Sequence, residues 1–222
     1  MPAPLRALIF DFDGLILDTE YPEFLSWQAV YRHYGQDLEI TTWKPGLPKN
    51  SISLDQPPYI ELEQRVGHPL DRNSVRTERE AIYAELLSRE EILPGVCDLF
   101  SRAVSQGLLL AIASSSPRNW VGPALVRLGL AQLFDRVWCG DDVLNPKPNP
   151  ELYLKAIQSL GVAPQEALAF EDSEVGISAA VSAGLRVVAI PNRLTVHSNL
   201  SAASVILPTM VNADIVALAQ LA

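Results

Sequence analysis

The chain has 222 residues, 48% of them hydrophobic and 19% charged, which suits a globular core formed by one domain or by a domain with an insert. Its formal net charge of −9 disfavours binding to nucleic acid or to an anionic membrane surface, because polyanions are held by basic patches. No apolar run approaches the ~18 residues of a membrane-spanning helix, and charged residues interrupt the apolar N-terminus before it could form a signal-peptide core, so we predict a cytoplasmic protein.

Short apolar runs predict the strands of a buried sheet. They are Leu5–Phe10, Leu108–Ala113, Arg136–Cys139, Ala167–Phe170, Arg186–Ile190 and Ser204–Leu207. Apolar residues at helical spacing lie between these runs, and Pro150 and Gly161 mark the start and end of one such helix. The predicted helices are Val121–Leu128, Glu151–Leu160, Val175–Ala183 and Ala213–Leu221. Alternating strands and helices predict an α/β fold, a doubly wound parallel sheet covered by helices on both faces.

One stretch, from Ile16 to about Leu93, lacks this alternation. Its pattern is helical and includes a Pro/Gly-rich segment, Trp43–Pro58. The helices predicted there are Glu23–Tyr34, Tyr59–Val66 and Ser74–Leu87. We therefore predict an α/β core formed by residues 1–14 and 95–222, and an inserted helical cap formed by residues 15–94.

Polar residues stand at the carboxyl ends of the predicted strands, which is the edge where open parallel sheets bind ligands. They are Asp11, Ser114, Asp141, Glu171 and Asp172. The pattern alone therefore indicates a candidate active site at this edge.

The segment Asp11-Phe12-Asp13-Gly14 directly follows the first predicted strand. A turn at Gly14 would let both carboxylates face the site. A carboxylate is a competent nucleophile toward phosphorus when a metal screens the charges, and a second carboxyl can protonate the leaving oxygen and later deprotonate water. A metal-binding or turn-forming aspartate pair without catalysis fits the tetrapeptide equally well.

Three consecutive serines, Ser114, Ser115 and Ser116, lie between a predicted strand and a predicted helix. Hydroxyl and backbone N–H groups at the start of a helix bind phosphate oxygens well. Simple capping of the helix is the alternative interpretation.

Lys147 lies between two prolines, and a rigidly held lysine could neutralise a phosphate and the nucleophile together. An isolated loop lysine is more commonly a surface charge.

Glu171 and Asp172 are adjacent acids at a strand end, where Mg²⁺ could relieve the repulsion between their carboxylates. Asp172 could equally cap the helix that follows.

Taken in order along the chain, these segments resemble the motifs of the haloacid dehalogenase-like (HAD) superfamily. The matching residues are Asp11-Phe12-Asp13-Gly14-Leu15 with Asp18-Thr19, then Ser114, Lys147 and Glu171-Asp172. The resemblance covers the whole predicted core, and the helical insert matches the position of the family's C1 cap. Within the superfamily, the chain is similar to the β-phosphoglucomutase and small sugar-phosphatase branch.

The resemblance implies that Asp11 attacks phosphorus to form an aspartyl-phosphate and that Asp13 is the general acid/base. It implies a Mg²⁺ ion held by the Asp11 side chain, the Asp13 backbone carbonyl and Asp172, with Glu171 in support or acting through water. The transferring phosphoryl group would be bound by the side chains of Ser114, Ser116 and Lys147. The backbone N–H groups of Phe12 and Ser115 would bind it as well.

Departures from the family pattern narrow the reaction. Asp13 argues against a dehalogenase or a phosphonate hydrolase, because both lack this second aspartate. The mutase branch has a histidine where this chain has Glu23, and a cap-loop arginine where it offers Lys49. We therefore predict a phosphatase, in which water takes the phosphoryl group. A phosphosugar mutase is the alternative, and a non-catalytic binding or regulatory protein is disfavoured by the complete set of motif residues.

The expected partner is a small phosphorylated metabolite such as a sugar phosphate, with Glu23 and Lys49 as cap residues that contact it. Closure of the cap would set substrate choice and exclude bulk water. By analogy with capped enzymes of this kind, we expect a monomer.

Overall fold

The computed structural model describes residues 3–43 and 57–220, and in these residues six parallel strands form one sheet. The strands are β1 (Ala7–Phe10), β2 (Leu109–Ala113), β3 (Arg136–Trp138), β4 (Ala167–Glu171), β5 (Arg186–Ala189) and β6 (Val205–Ile206). Their spatial order is β3-β2-β1-β4-β5-β6, so that β1 lies at the centre and the sheet grows outward from it in both directions. This order confirms the predicted α/β fold with a doubly wound parallel sheet.

Helices connect the strands, and within the described residues four α-helices lie between β1 and β2. The helices are α1 (Glu20–His33), α2 (Pro57–Val66), α3 (Arg72–Ser88), α4 (Val96–Ser105), α5 (Arg118–Arg127), α6 (Glu151–Leu160), α7 (Glu174–Ser182) and α8 (Ile215–Ala219). No helix within residues 3–43 and 57–220 is both long and apolar enough to cross a bilayer.

The two faces of the sheet are buried by different helices. Ala7 and Ile9 of β1 join a buried cluster with residues of α6 and α7. Phe10, which points to the other face because side chains alternate along a strand, packs edge-on against Phe100 of α4 with ring centroids 4.9 Å apart. Burial on both faces explains why β1 reads as a continuous apolar run rather than an alternating one.

Helix α4 was absent from the predicted elements. Its apolar residues Val96, Leu99, Phe100 and Ala103 are all buried and follow helical spacing directly after Gly95. The helical spacing was therefore a usable signal, and the helix was missed.

Contacts within the chain group Met1–Asp18 with Glu91–Ala222 in one compact unit, and Thr19–Glu90 in another. The second unit holds α1, α2 and α3, and its interior is aromatic: the Trp27 ring packs edge-on against Tyr59, and the Arg79 guanidinium lies over the Trp27 ring. Trp27 is thus a core residue of this unit. The predicted boundaries after residue 14 and before residue 95, and the covering role of the insert, stay predictions.

Candidate functional site

The register of the central strands brings the first and fourth predicted motifs side by side. Phe10 of β1 is level with Ile112 of β2 and with Phe170 of β4. Asp11 directly follows β1, and its backbone N–H donates to the Phe170 carbonyl at 3.0 Å. Asp11 and Glu171 therefore emerge next to each other at the carboxyl edge of the sheet, with Ser114 following the neighbouring strand β2.

Lys147 joins this pair, although it lies on the loop before α6. Its ammonium donates to Asp11 Oδ1 at 2.7 Å and to Glu171 Oε1 at 2.6 Å, and its side chain is only 4% exposed. Burial opposes a charge here, but Asp11 and Glu171 outweigh that effect and raise the pKa of Lys147 above its usual value. The lysine is therefore a permanent, rigidly held cation beside Asp11, and the plainer interpretation of a solvated loop lysine is wrong.

The Asp11 carboxyl sits in a strongly charged environment. Burial, opposed by Lys147 and reinforced by the charges of Glu171 and Asp13, raises the pKa of Asp11 from 3.8 to about 7. A nearby cation favours the ionised form of a carboxyl. A second positive charge at this place would therefore help to keep Asp11 ionised.

Tyr153 completes the surroundings of Lys147 and was missed by sequence reasoning. Its hydroxyl donates to Glu171 Oε1 at 2.5 Å, and the Lys147 ammonium lies 4.9 Å from the centre of its ring. Tyr153 is fully buried on the first turn of α6. Its contacts fix the carboxylate of Glu171, which in turn fixes Lys147.

Asp13 is held by two residues that follow β2. Ser116 Oγ donates to Asp13 Oδ2 at 2.5 Å, and the indole Nε1 of Trp120 donates to Asp13 Oδ1 at 3.1 Å. The Ser114 hydroxyl accepts from the Ser116 backbone N–H at 3.0 Å, which shapes the serine loop. Trp120 had escaped notice because α5 begins at Arg118, three residues before the predicted start at Val121.

The acidic side chains at this edge form a group that suits a metal ion. Carboxylate oxygens of Asp11, Glu171 and Asp172 all lie within 4.8 Å of one another, and the three residues are buried. Such an all-oxygen set is what Mg²⁺ prefers. Glu171 Oε1 is bonded to Lys147 and Tyr153, and Oε2 accepts from the Asp172 backbone N–H at 3.3 Å.

Asn192, on the loop after β5, was also missed by sequence reasoning. Its side-chain N–H group donates to Asp172 Oδ2 at 2.7 Å, and its carbonyl oxygen accepts from the backbone N–H of Leu194 at 2.8 Å. Gly14 packs against the same pair: a Cβ at this position would lie 2.6 Å from Asp172 Oδ2, and the φ of +79° also favours glycine. These contacts fix the orientation of Asp172.

The remaining predicted residues lie elsewhere or play other parts. Glu23 is buried within the helical unit, on α1. Lys49 lies outside the described residues. The Asp141 carboxylate accepts from the backbone N–H of Arg118, whose guanidinium contacts Asp142. The acidic residues after β3 are therefore occupied by contacts within the protein.

The backbone N–H groups predicted to bind phosphate belong to Phe12 and Ser115. Phe12 is fully buried, and Ser115 is exposed. Both residues directly follow site residues, Asp11 and Ser114. Their phosphate-binding role stays a prediction.

Comparison with known proteins gives one family. The model of the haloacid dehalogenase-like hydrolase family matches residues 8–190. The chain is 39% identical over 191 residues to the protein YhcW of Bacillus subtilis (strain 168), with 86% of each chain covered. It is 36% identical over 190 residues to the fructose-1-phosphate phosphatase YqaB of Escherichia coli (strain K12), which covers 82% of this chain and 94% of that protein.

A solved structure of β-phosphoglucomutase from Clostridium difficile superposes with a TM-score of 0.71 over 96% of this chain and 95% of that one. The sequences are 24% identical, and this likeness concerns the fold alone.

Proposed function

Because this chain belongs to the haloacid dehalogenase-like hydrolase family, we propose that it is a Mg²⁺-dependent phosphatase that hydrolyses a small phosphorylated carbohydrate through an aspartyl-phosphate on Asp11. The observation that carries the proposal is the bridge that Lys147 forms between Asp11 and Glu171. A buried carboxylate held against a fixed cation suits nucleophilic attack on an anionic phosphate, because the cation offsets the repulsion between the two anions.

In the first step, a carboxylate oxygen of Asp11 attacks phosphorus, and the bond between phosphorus and the leaving oxygen breaks. The carboxyl of Asp13 donates its proton to that oxygen, so that an alcohol rather than an alkoxide departs. Lys147 stabilises the negative charge on the transferring group, and Ser114 contributes a hydroxyl from the end of β2.

In the second step, water attacks the phosphorus of the aspartyl-phosphate. The Asp13 carboxylate takes the proton from this water, and the bond between phosphorus and Asp11 breaks to release inorganic phosphate. Asp13 thus alternates between acid and base and regains its proton in each cycle.

The residues that would hold Mg²⁺ are Asp11 and Asp172 through their carboxylates and Asp13 through its backbone carbonyl. When bound, the ion would screen the charges of nucleophile and phosphate. The bonds of Glu171 to Lys147 and Tyr153 support an indirect part for this residue, namely keeping Lys147 beside Asp11.

The phosphatase and the mutase alternative share the nucleophile and differ in the acceptor of the phosphoryl group. The name of the relative YqaB favours hydrolysis of a sugar phosphate, and the glutamate at position 23 agrees with that choice. Substrate contacts of Glu23 and Lys49 form part of this proposal.

The test is release of inorganic phosphate from a panel of sugar phosphates, including fructose 1-phosphate, and from 4-nitrophenyl phosphate. We expect Mg²⁺-dependent release that a chelator abolishes and that Asp11→Asn lacks. Fast isomerisation of a sugar phosphate in the presence of a bisphosphate, with negligible phosphate release, would favour the mutase instead. No release from any ester would overturn the proposed function.

A further inference from the structure

Trp120 contacts the acid/base group of the site although it lies on a helix that carries none of the motif residues. Its indole Nε1 donates to Asp13 Oδ1 at 3.1 Å across 107 positions of sequence, from the first turn of α5. Ser116 Oγ donates to the other oxygen of the same carboxyl at 2.5 Å. The carboxyl plane of Asp13 is thereby fixed by donors at both of its oxygens.

The two donors differ in what they can do when Asp13 gains or loses its proton. A serine hydroxyl both donates and accepts, so the bond from Ser116 can reverse as the protonation of Asp13 changes. The indole N–H is a donor only and cannot take a proton from the carboxyl. The bond from Trp120 therefore keeps the same direction through the whole cycle.

We propose that Trp120 is a positioning residue for proton transfer: its indole N–H holds Asp13 Oδ1 so that the carboxyl faces the leaving oxygen in the first step and the attacking water in the second. This inference rests on the proposed function. Positioning matters here because a general acid or base must lie within hydrogen-bonding reach of the atom that it serves.

The local sequence explains how Trp120 reaches Asp13. The helix α5 begins directly after Pro117, and the Trp120 backbone N–H donates to the Pro117 carbonyl at 3.0 Å. The first turn of α5 therefore starts right behind the serine loop, close to the end of β2. From there the indole extends toward the neighbouring strand end, where Asp13 follows β1.

The test compares two aryl esters of similar size whose leaving oxygens differ in their need for a proton. Phenoxide is the poorer leaving group, so the cleavage of phenyl phosphate depends more on Asp13 than that of 4-nitrophenyl phosphate does. For Trp120→Phe, which keeps an aromatic ring and removes the N–H, we expect kcat/KM for phenyl phosphate to fall about 10- to 100-fold. The fall for 4-nitrophenyl phosphate should be several times smaller.

Two further variants separate positioning from structure. Trp120→Gln restores an N–H donor without the ring, and we expect it to recover part of the lost rate on phenyl phosphate. Trp138→Phe is the matched control, because it removes an indole bond of 3.0 Å to Ser159 outside the site. It should lower kcat/KM for neither ester.

Equal falls for both esters in Trp120→Phe, or no fall for either, would overturn the inference. If Trp120→Phe does not fold, Trp120→Leu, which also lacks the N–H, takes its place in the comparison with wild type. Equal falls for both esters, or no fall for either, would overturn the inference there too. A wild-type enzyme that releases phosphate from no ester of the panel, sugar phosphates included, would instead refute the proposed function, which is a separate outcome.

Discussion

Gly176, on the first turn of α7, leaves room for the buried carboxylate that holds Lys147. A Cβ at position 176 would lie 2.0 Å from Glu171 Oε2, far inside contact distance. Glu171 cannot move aside freely, because its Oε1 is bonded to Lys147 at 2.6 Å and to Tyr153 at 2.5 Å. We therefore expect Gly176→Ala to disturb both the stability and the site.

The size of the effect follows from the two ways of relieving the clash. A shift of α7 costs about 1–3 kcal/mol, as overpacking usually does. Movement of Glu171 gives up hydrogen bonds to its charged carboxylate, worth about 1.5–3 kcal/mol each. The higher helix propensity of alanine offsets only ~0.5–1 kcal/mol. The expected net loss in the free energy of unfolding is about 1–2 kcal/mol.

Urea denaturation measures this loss, and hydrolysis of 4-nitrophenyl phosphate measures the effect on the site, where we expect a lower kcat because Lys147 loses its anchor. A double-mutant cycle with Glu171→Asp identifies the cause, since the shorter side chain should reduce the cost of alanine at position 176. A Gly176→Ala protein that is more stable than wild type and equally active would refute the reasoning.

Two further predictions concern Asp172 and the helical unit. Asn192→Ala should weaken Mg²⁺ binding about 10- to 100-fold, because Asp172 loses the hydrogen bond that orients it. Calorimetric titration with Mg²⁺ measures the affinity, and Asn199→Ala on an exposed loop is the control. An unchanged affinity in Asn192→Ala would contradict the prediction. Hydrogen bonds from Arg72 and from the Leu70 backbone lower the pKa of Glu63 from 4.5 to about 2. The folded state therefore favours the ionised form, and this contribution to stability is present above pH 4.5 and is lost as the pH falls toward 2. Glu63→Gln should accordingly lower the thermal midpoint at neutral pH, and the difference from wild type should shrink below pH 4.5; a constant difference would contradict the assignment.

Local signals in the sequence determined much of the fold. Helix α6 runs from Glu151 to Leu160, as predicted, because Pro150 and Gly161 define its ends. The strand runs were also found, since each is a short and mainly apolar segment. The central strands β1 and β4 are buried along their whole length, whereas the edge strands β3 and β6 are partly exposed. The start of α5 was predicted three residues late, although Pro117 stands directly before it as Pro150 stands before α6.

Asp11, Ser114, Glu171 and Asp172 could be singled out from sequence because each stands at the end of a predicted strand, and Lys147 because it matches a family motif. Trp120, Tyr153 and Asn192 could not, since their partners are distant in sequence and only the packing of strands and helices brings them together. Nothing in the spacing of Tyr153 distinguishes it from an ordinary core residue of α6. Side chains that orient catalytic groups are therefore harder to predict than the groups themselves.

The central claim is that Asp11 carries the phosphoryl group during turnover. The most direct measurement is an acid quench of the enzyme during Mg²⁺-dependent hydrolysis of 4-nitrophenyl phosphate, followed by digestion and mass spectrometry of the peptides. We predict a phosphoryl adduct on Asp11, and neither adduct nor turnover in Asp11→Asn. An adduct on a different side chain, or turnover that persists in Asp11→Asn, would contradict the claim.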